Sequence, residues 1–215
     1  MSSVAGSNAE PVTVPDIDRS SSSRGRPVLA VLAAAVPVLW IPLTLLHPES
    51  TDVLDDVKTG TWLTVHYAQL VLAPLLALGM LYVLGPLAGV PAVVGRVAVV
   101  LWVALFSAFD SIAGIATGVL VEGGFADAAE YLFDDGLVGG GSVLGWIAQP
   151  MWIVVAVAAG LALRSNGASP LCWVAILVSV LFATHAGWPA GLGLLALALS
   201  LALAIATPAW ARAVT

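Results

Sequence analysis

Charged side chains are scarce in this sequence: Asp, Glu, Lys and Arg make up 9% of its 215 residues, and lysine occurs once, at Lys58. A soluble domain carries about 25% charged residues, so the side chains needed for a water-facing surface are missing. Cysteine is scarcer still. Cys172 stands alone, which rules out an intramolecular disulfide and leaves the redox compartment open. The few basic residues are scattered and the net charge is −6, so nucleic acid is excluded as a partner. Close metal-ligand or catalytic spacings such as H-x-x-E-H and C-x-x-C are absent as well. No nucleophile–base pair is visible, so the sequence leans away from an enzyme.

What is present is apolar. Hydrophobic residues make up 60% of the chain and its mean hydropathy is +1.03. Ala, Val, Leu and Gly dominate beside the single Lys, a composition suggestive of prokaryotic, high-G+C coding. A helix needs about 20 apolar residues to cross about 30 Å of hydrocarbon, because each residue rises about 1.5 Å. Six stretches qualify, at about 27–46, 62–84, 96–120, 143–163, 171–186 and 188–208. The expectation is therefore an all-α integral membrane protein, a multi-pass bundle of about six transmembrane helices within residues 27–208. The fifth stretch is short and almost touches the sixth, so five spans with a broken last segment is the alternative.

Basic residues are retained on the cytoplasmic side of short loops. Arg19, Arg24 and Arg26 precede the first stretch, Arg96 lies between the second and third, Arg164 between the fourth and fifth, and Arg212 after the sixth. Only Lys58 falls in an intervening loop. Six crossings of the plasma membrane with both termini in the cytoplasm satisfy that pattern. Residues 1–26 are polar and of low complexity, and too poor in apolar area to offset their ordering entropy, so a disordered cytoplasmic tail is expected there. Residues 209–215 make a short cytoplasmic C-terminal tail.

The outer loops are acidic. The first carries Glu49, Asp52, Asp55 and Asp56, and the second Glu122, Asp127, Glu130, Asp134 and Asp135. They either gather cations or are simply solvated. In the second, Phe125, Ala129, Leu132 and Phe133 recur at helical spacing, as in a short amphipathic helix on the membrane surface. Gly139, Gly140 and Gly141 would follow it as a hinge. No internal repeat is visible, so an inverted-repeat carrier lacks support.

Ionisable groups inside a bilayer are costly and are functional candidates by default. His47, His66 and His185 fall at the outer ends of three different helices, His66 about 6 Å below the interface. Asp110 lies near the midplane, about 15 Å deep, and Gln149 sits about one and a half turns inside the fourth helix. Convergence of these side chains would make an outward-facing polar pocket. Imidazoles suit zinc, copper or iron, and two at matching depth, as His66 and His185 are, would suit a haem. The bland alternative is that the histidines cap turns or rest at the interface.

Ser107, Asp110, Ser111, Gly114, Thr117 and Gly118 share one helical face. Ser107, Asp110, Ser111 and Gln149 are candidates for ligand binding or proton carriage. Gly114 and Gly118 form a G-x-x-x-G pair for close helix packing, and Asp110 is alternatively a hydrogen bond across that seam. Pro37, Pro42, Pro74 and Pro150 are expected to kink their helices. Trp40, Trp62, Trp146, Trp173, Trp188 and Trp210 are expected mostly as interface anchors.

The combination of His47-Pro48, Trp62-x-x-x-His66 and the Phe109–Gly118 run resembles bacterial multi-pass membrane proteins, a resemblance that implies no activity. Three functions follow as expectations. The first is a His/Asp pocket that binds a metal, haem or small polar ligand. The second is a small permease or proton-coupled carrier using Asp110. The third is a non-catalytic membrane subunit or scaffold, associating with lipid, with a partner subunit or with its own copies.

Overall fold

The computed structural model describes residues 20–48, 58–134, 140–207 and Trp210. The expected tail over 1–19, the first acidic loop over 49–57, Asp135, Gly139 and the C-terminal tail beyond Trp210 lie outside the described residues. Among those described there are helices and turns and no strand.

The helices are α1 (Ser20–Leu46), α2 (Thr59–Leu84), α3 (Val90–Phe109), α4 (Thr117–Glu122), α5 (Ala126–Asp134), α6 (Gly140–Ser165), α7 (Pro170–Val178) and α8 (Gly187–Ala206). A π-helical segment, Asp110–Ala116, joins α3 to α4 without a break, and a 3₁₀ segment, Ser179–Thr184, extends α7. Four helices are long and apolar enough to cross a membrane: Thr59–Leu84, Val90–Glu122, Val143–Ser165 and Gly187–Ala206. Two shorter apolar helices, Ala30–Leu46 and Pro170–Thr184, accompany them.

Two boundaries differ from expectation. α1 begins at Ser20, inside the stretch expected to be disordered, because a helix started in apolar sequence can run on through Ser and Arg at little cost. Gly140 and Gly141, expected in a hinge, instead open α6.

Around the bundle α1 packs on α2, α2 on α3, α3 on α6, α6 on α7, α7 on α8 and α8 back on α1, closing a ring. The outward faces stay apolar, with Val31, Leu39, Val71, Leu78, Val97, Leu101, Leu161, Leu171, Leu195 and Leu199 all exposed. Apolar surface this continuous is not seen on soluble monomers; it suits a lipid surround. Inside, aromatic rings interlock. Trp40 meets Phe106 edge-on at 5.6 Å and Phe182 at 5.1 Å, while Trp102 contacts Trp152 at 4.8 Å and Phe106 at 5.4 Å.

The tryptophans expected as interface anchors divide. Trp40, Trp62 and Trp210 are buried in the protein, whereas Trp146 and Trp188 are 80% and 71% exposed. Two of the buried ones have hydrogen-bond partners, the Trp62 indole donating to the Gly114 carbonyl at 2.6 Å and that of Trp210 to Val83 at 3.2 Å, while Trp40 is held by aromatic contacts alone. Trp173 is half-buried beneath the Arg164 guanidinium, 5.4 Å above its ring.

At the α2–α3 turn side chains tie the backbone. Arg96 donates to the carbonyls of Leu84, Gly85 and Leu87 at 2.9, 3.2 and 3.2 Å, capping the end of α2. Asn166, beyond α6, accepts from the Ala88 N–H and donates to its carbonyl, joining the two turns at this end. Ser169 caps the N-terminus of α7 by accepting from Cys172 N–H.

Candidate metal centre

At the opposite end, three histidines meet. His47 follows the last residue of α1, His66 sits in the second turn of α2, and His185 lies between the 3₁₀ segment and α8. One ring nitrogen of each lies within 4.8 Å of the others. The His47 ring is 5.0 Å from that of His66 and 4.9 Å from that of His185, whereas His66 and His185 are 6.3 Å apart. His47 therefore bridges the other two.

Two of the three rings are oriented by the backbone. The Nδ1 of His66 is 2.8 Å from the Trp62 carbonyl and that of His47 is 2.8 Å from the Pro48 carbonyl. A carbonyl only accepts, so both nitrogens carry their proton and both Nε2 atoms present a lone pair. Metal-ligating histidines are oriented in this way, with the other ring N–H donated to a carbonyl or carboxylate. The His47 Nε2 and the His185 Nδ1 are buried with no hydrogen-bond partner. Burial holds the imidazoles of His47 and His185 below their ordinary pKa; at His185 the neighbouring imidazoles of His47 and His66 add to the effect. Neutral imidazole is the ligating form.

His185 is held under strain. Its φ of 67° is the only positive value at a non-glycine among the described residues. The Ala186 N–H donates to the Thr184 carbonyl at 2.8 Å, so His185 is the central residue of a γ-turn, a strained arrangement. Such a backbone costs on the order of 1–3 kcal/mol and clusters at functional sites. The turn that His185 would cap under the bland alternative is one that it forms.

The π-helical segment shapes the other wall. A π-segment widens the helix by a residue and recurs at functional sites. This one buries Asp110, Ala113 and Gly114. A side chain at Gly114 would run into the His66 ring, and one at Gly118 would meet Leu63 and Trp62, so both glycines let α2 lie close. Asp110 is 0% exposed; its Oδ1 is 3.9 Å from His66 Nε2, too far for a hydrogen bond, and neither oxygen has a partner.

Ser107 and Ser111 are not brought to the pocket: the Ser111 hydroxyl donates back to the Ser107 carbonyl at 2.7 Å, within their own helix. Gln149 does line the cavity, of about 450 Å³, with His47, His66, His185, Trp62, Phe109, Ala113 and Phe133. Phe133 comes from α5, the short helix expected in the second loop, whose Ala129 is buried against Trp62 and Val121.

One residue escaped sequence reasoning. Gln69 is 0% exposed and neither amide atom has a partner. Gly114 faces His66 and Gly118 faces Trp62 and Leu63, and this antiparallel register places Gln69 at the depth of Asp110. A polar residue one turn from His66 on the same face was the available signal.

The residues fit a metal ion. Metal–nitrogen bonds of about 2.0–2.1 Å set tetrahedral donors about 3.4 Å apart, so the three rings must draw in by no more than about 1.4 Å. They do not fit a haem between His66 and His185, because the His47 ring stands where the macrocycle would lie. Compared with known protein families, with curated proteins and with solved structures, the chain matches none.

Proposed function

We propose that this is a six-span plasma-membrane protein, with both termini in the cytoplasm, whose three histidines bind a divalent transition metal near the outer surface. The carrying observation is the meeting of three imidazoles from separate segments, two already turned by backbone hydrogen bonds to present Nε2. Neutral imidazole donors suit zinc, copper, iron or nickel. Asp110, whose Oδ1 is 3.9 Å from the His66 Nε2, stands beside the site as the counter-charge. The six crossings draw support from the 3₁₀ segment, which stretches the short fifth helix: nine α-helical and six 3₁₀ residues rise about 25 Å.

A second reading, a cation carrier, draws on the unpartnered Asp110 and Gln69 below the histidines. Binding is favoured over passage because the interlocked rings of Trp40, Phe106 and Phe182 lie under the cluster, with Phe106 5.5 Å from His185.

The test is elemental analysis by mass spectrometry of detergent-purified protein beside a His66→Ala/His185→Ala double variant. Stoichiometric metal in the parent and none in the variant is the expected result. A parent that takes up no zinc, copper, iron or nickel, even after exposure to each, sinks the proposal.

A further inference from the structure

We propose that the metal keeps one coordination position open toward the cavity, and that a monocarboxylate with a compact apolar body binds there, oriented by Gln149. This rests on the metal-site reading above and adds a ligand class to it. Three protein ligands with a free fourth position is the arrangement of zinc sites that bind water or substrate. The cavity, of about 450 Å³, is far larger than an ion needs and matches pockets that take small organic molecules.

Charge selects the ligand's sign. A divalent ion on three neutral imidazoles brings two positive charges into a buried site, and buried charge is costly unless paired. Among the described residues no carboxylate lines the cavity. Even counting Asp110, which is wholly buried 3.9 Å from the His66 Nε2, positive charge is left over. A single anion closes that balance, and a second cation would worsen it. Shape selects the rest. Phe109, Phe133 and Ala113 offer apolar walls, which match the body of an organic acid better than a bare inorganic anion. Four polar side chains in the lining are already committed or claimed: the Trp62 indole donates to Gly114, and the three imidazoles hold the metal. The Gln149 amide has no hydrogen-bond partner among the described residues. Its NH₂ is the donor left for the second carboxylate oxygen, with the first on the metal.

The experiment loads the detergent-purified protein with cobalt(II), whose visible spectrum reports its coordination, and titrates benzoate. A saturable change with benzoate and none with benzamide, which has the same ring without the charge, is expected. Gln149→Leu should weaken benzoate by about tenfold. Cobalt that binds but ignores benzoate, or responds equally to benzamide, overturns this inference and leaves the metal site standing. No cobalt uptake overturns both. Oleate acting while benzoate does not would assign the carboxylate to a membrane fatty acid and overturn the compact body. The benzoate–benzamide contrast uses the parent protein, so a poorly folding variant does not decide the matter.

Discussion

At one end of the α2–α3 hairpin, Arg96 donates to three carbonyls and Asn166 exchanges two hydrogen bonds with Ala88. At the other end, Asp110 and Gln69 are fully buried without partners, and His47 and His185 each keep an unpartnered buried nitrogen. Both ends are built from the same apolar helices, so composition does not account for the difference. An unsatisfied buried polar group costs about 1–3 kcal/mol, and one end carries several. The backbone follows the same division. The α2–α3 turn joins regular helices with glycine at its one positive φ, Gly89. The histidine end has the π-segment, the 3₁₀ segment and the strained His185. Polar groups at the first end hold the structure together; those at the second leave buried polar atoms unpartnered among the described residues, as the proposed metal site requires.

The comparison breaks most readily at His47. Because His47 bridges the other two imidazoles, His47→Ala is expected to weaken metal binding by at least a hundredfold, about 3 kcal/mol. The metal-free protein should melt no lower than the parent, since the lost ring stabilised little. Metal titration and thermal unfolding in detergent check the two halves. Arg96→Met is expected to do the reverse. It removes the Arg96 donor from three carbonyls of the α2–α3 turn, of which only that of Leu84 keeps a backbone partner among the described residues, the Leu87 N–H, and should cost about 2 kcal/mol of stability, with metal affinity unchanged in the same assays. If Arg96→Met abolished metal binding at full stability, the division between the two ends would be wrong.

Asp110→Asn sharpens the comparison further. It keeps shape and removes the counter-charge beside the His66 Nε2, so metal affinity should fall by about tenfold. No hydrogen bond to the carboxylate is lost, so the melting temperature of the metal-free protein should not drop. A fall in stability equal to the fall in affinity would make Asp110 a packing residue.

Most of the bundle was legible because lipid leaves few choices: a spanning helix must be an apolar run of about 20 residues, and the runs stand out at 9% charge. The helices that carry His66, Asp110 and Gln149 were legible from such runs. What did not follow were features set by neighbours. His47 lies just past the end of α1, where ring direction depends on the chain beyond the helix, so its central place was not visible. The π-segment has no local signature in the sequence; it lies where Gly114 meets the His66 ring. Trp40 and Trp62 were assigned to the interface on residue type, and tertiary aromatic partners overrode it. Ser107 and Ser111 share a face with Asp110 on paper, yet Ser111 satisfies itself on its own helix.

The smallest expected effect is on pH dependence, and it separates the ends once more. Burial holds His47 and His185 below the ordinary histidine pKa of about 6.5. As pH falls through that value, the unfolded chain takes up protons that the folded chain refuses. Stability therefore rises with pH across this window and is lost as pH drops below about 6.5. The metal-free protein should melt at progressively lower temperature from pH 7 to pH 5. With metal bound to the folded state the melting temperature should lie higher, and the added stability should itself shrink with acid as protons compete for the lone pairs. A His47→Ala/His185→Ala variant should show a flatter profile. The Arg96→Met variant should lose stability equally at every pH, since its guanidinium stays charged throughout. A parent profile as flat as that of the double variant would mean that the imidazoles are solvated and free to charge.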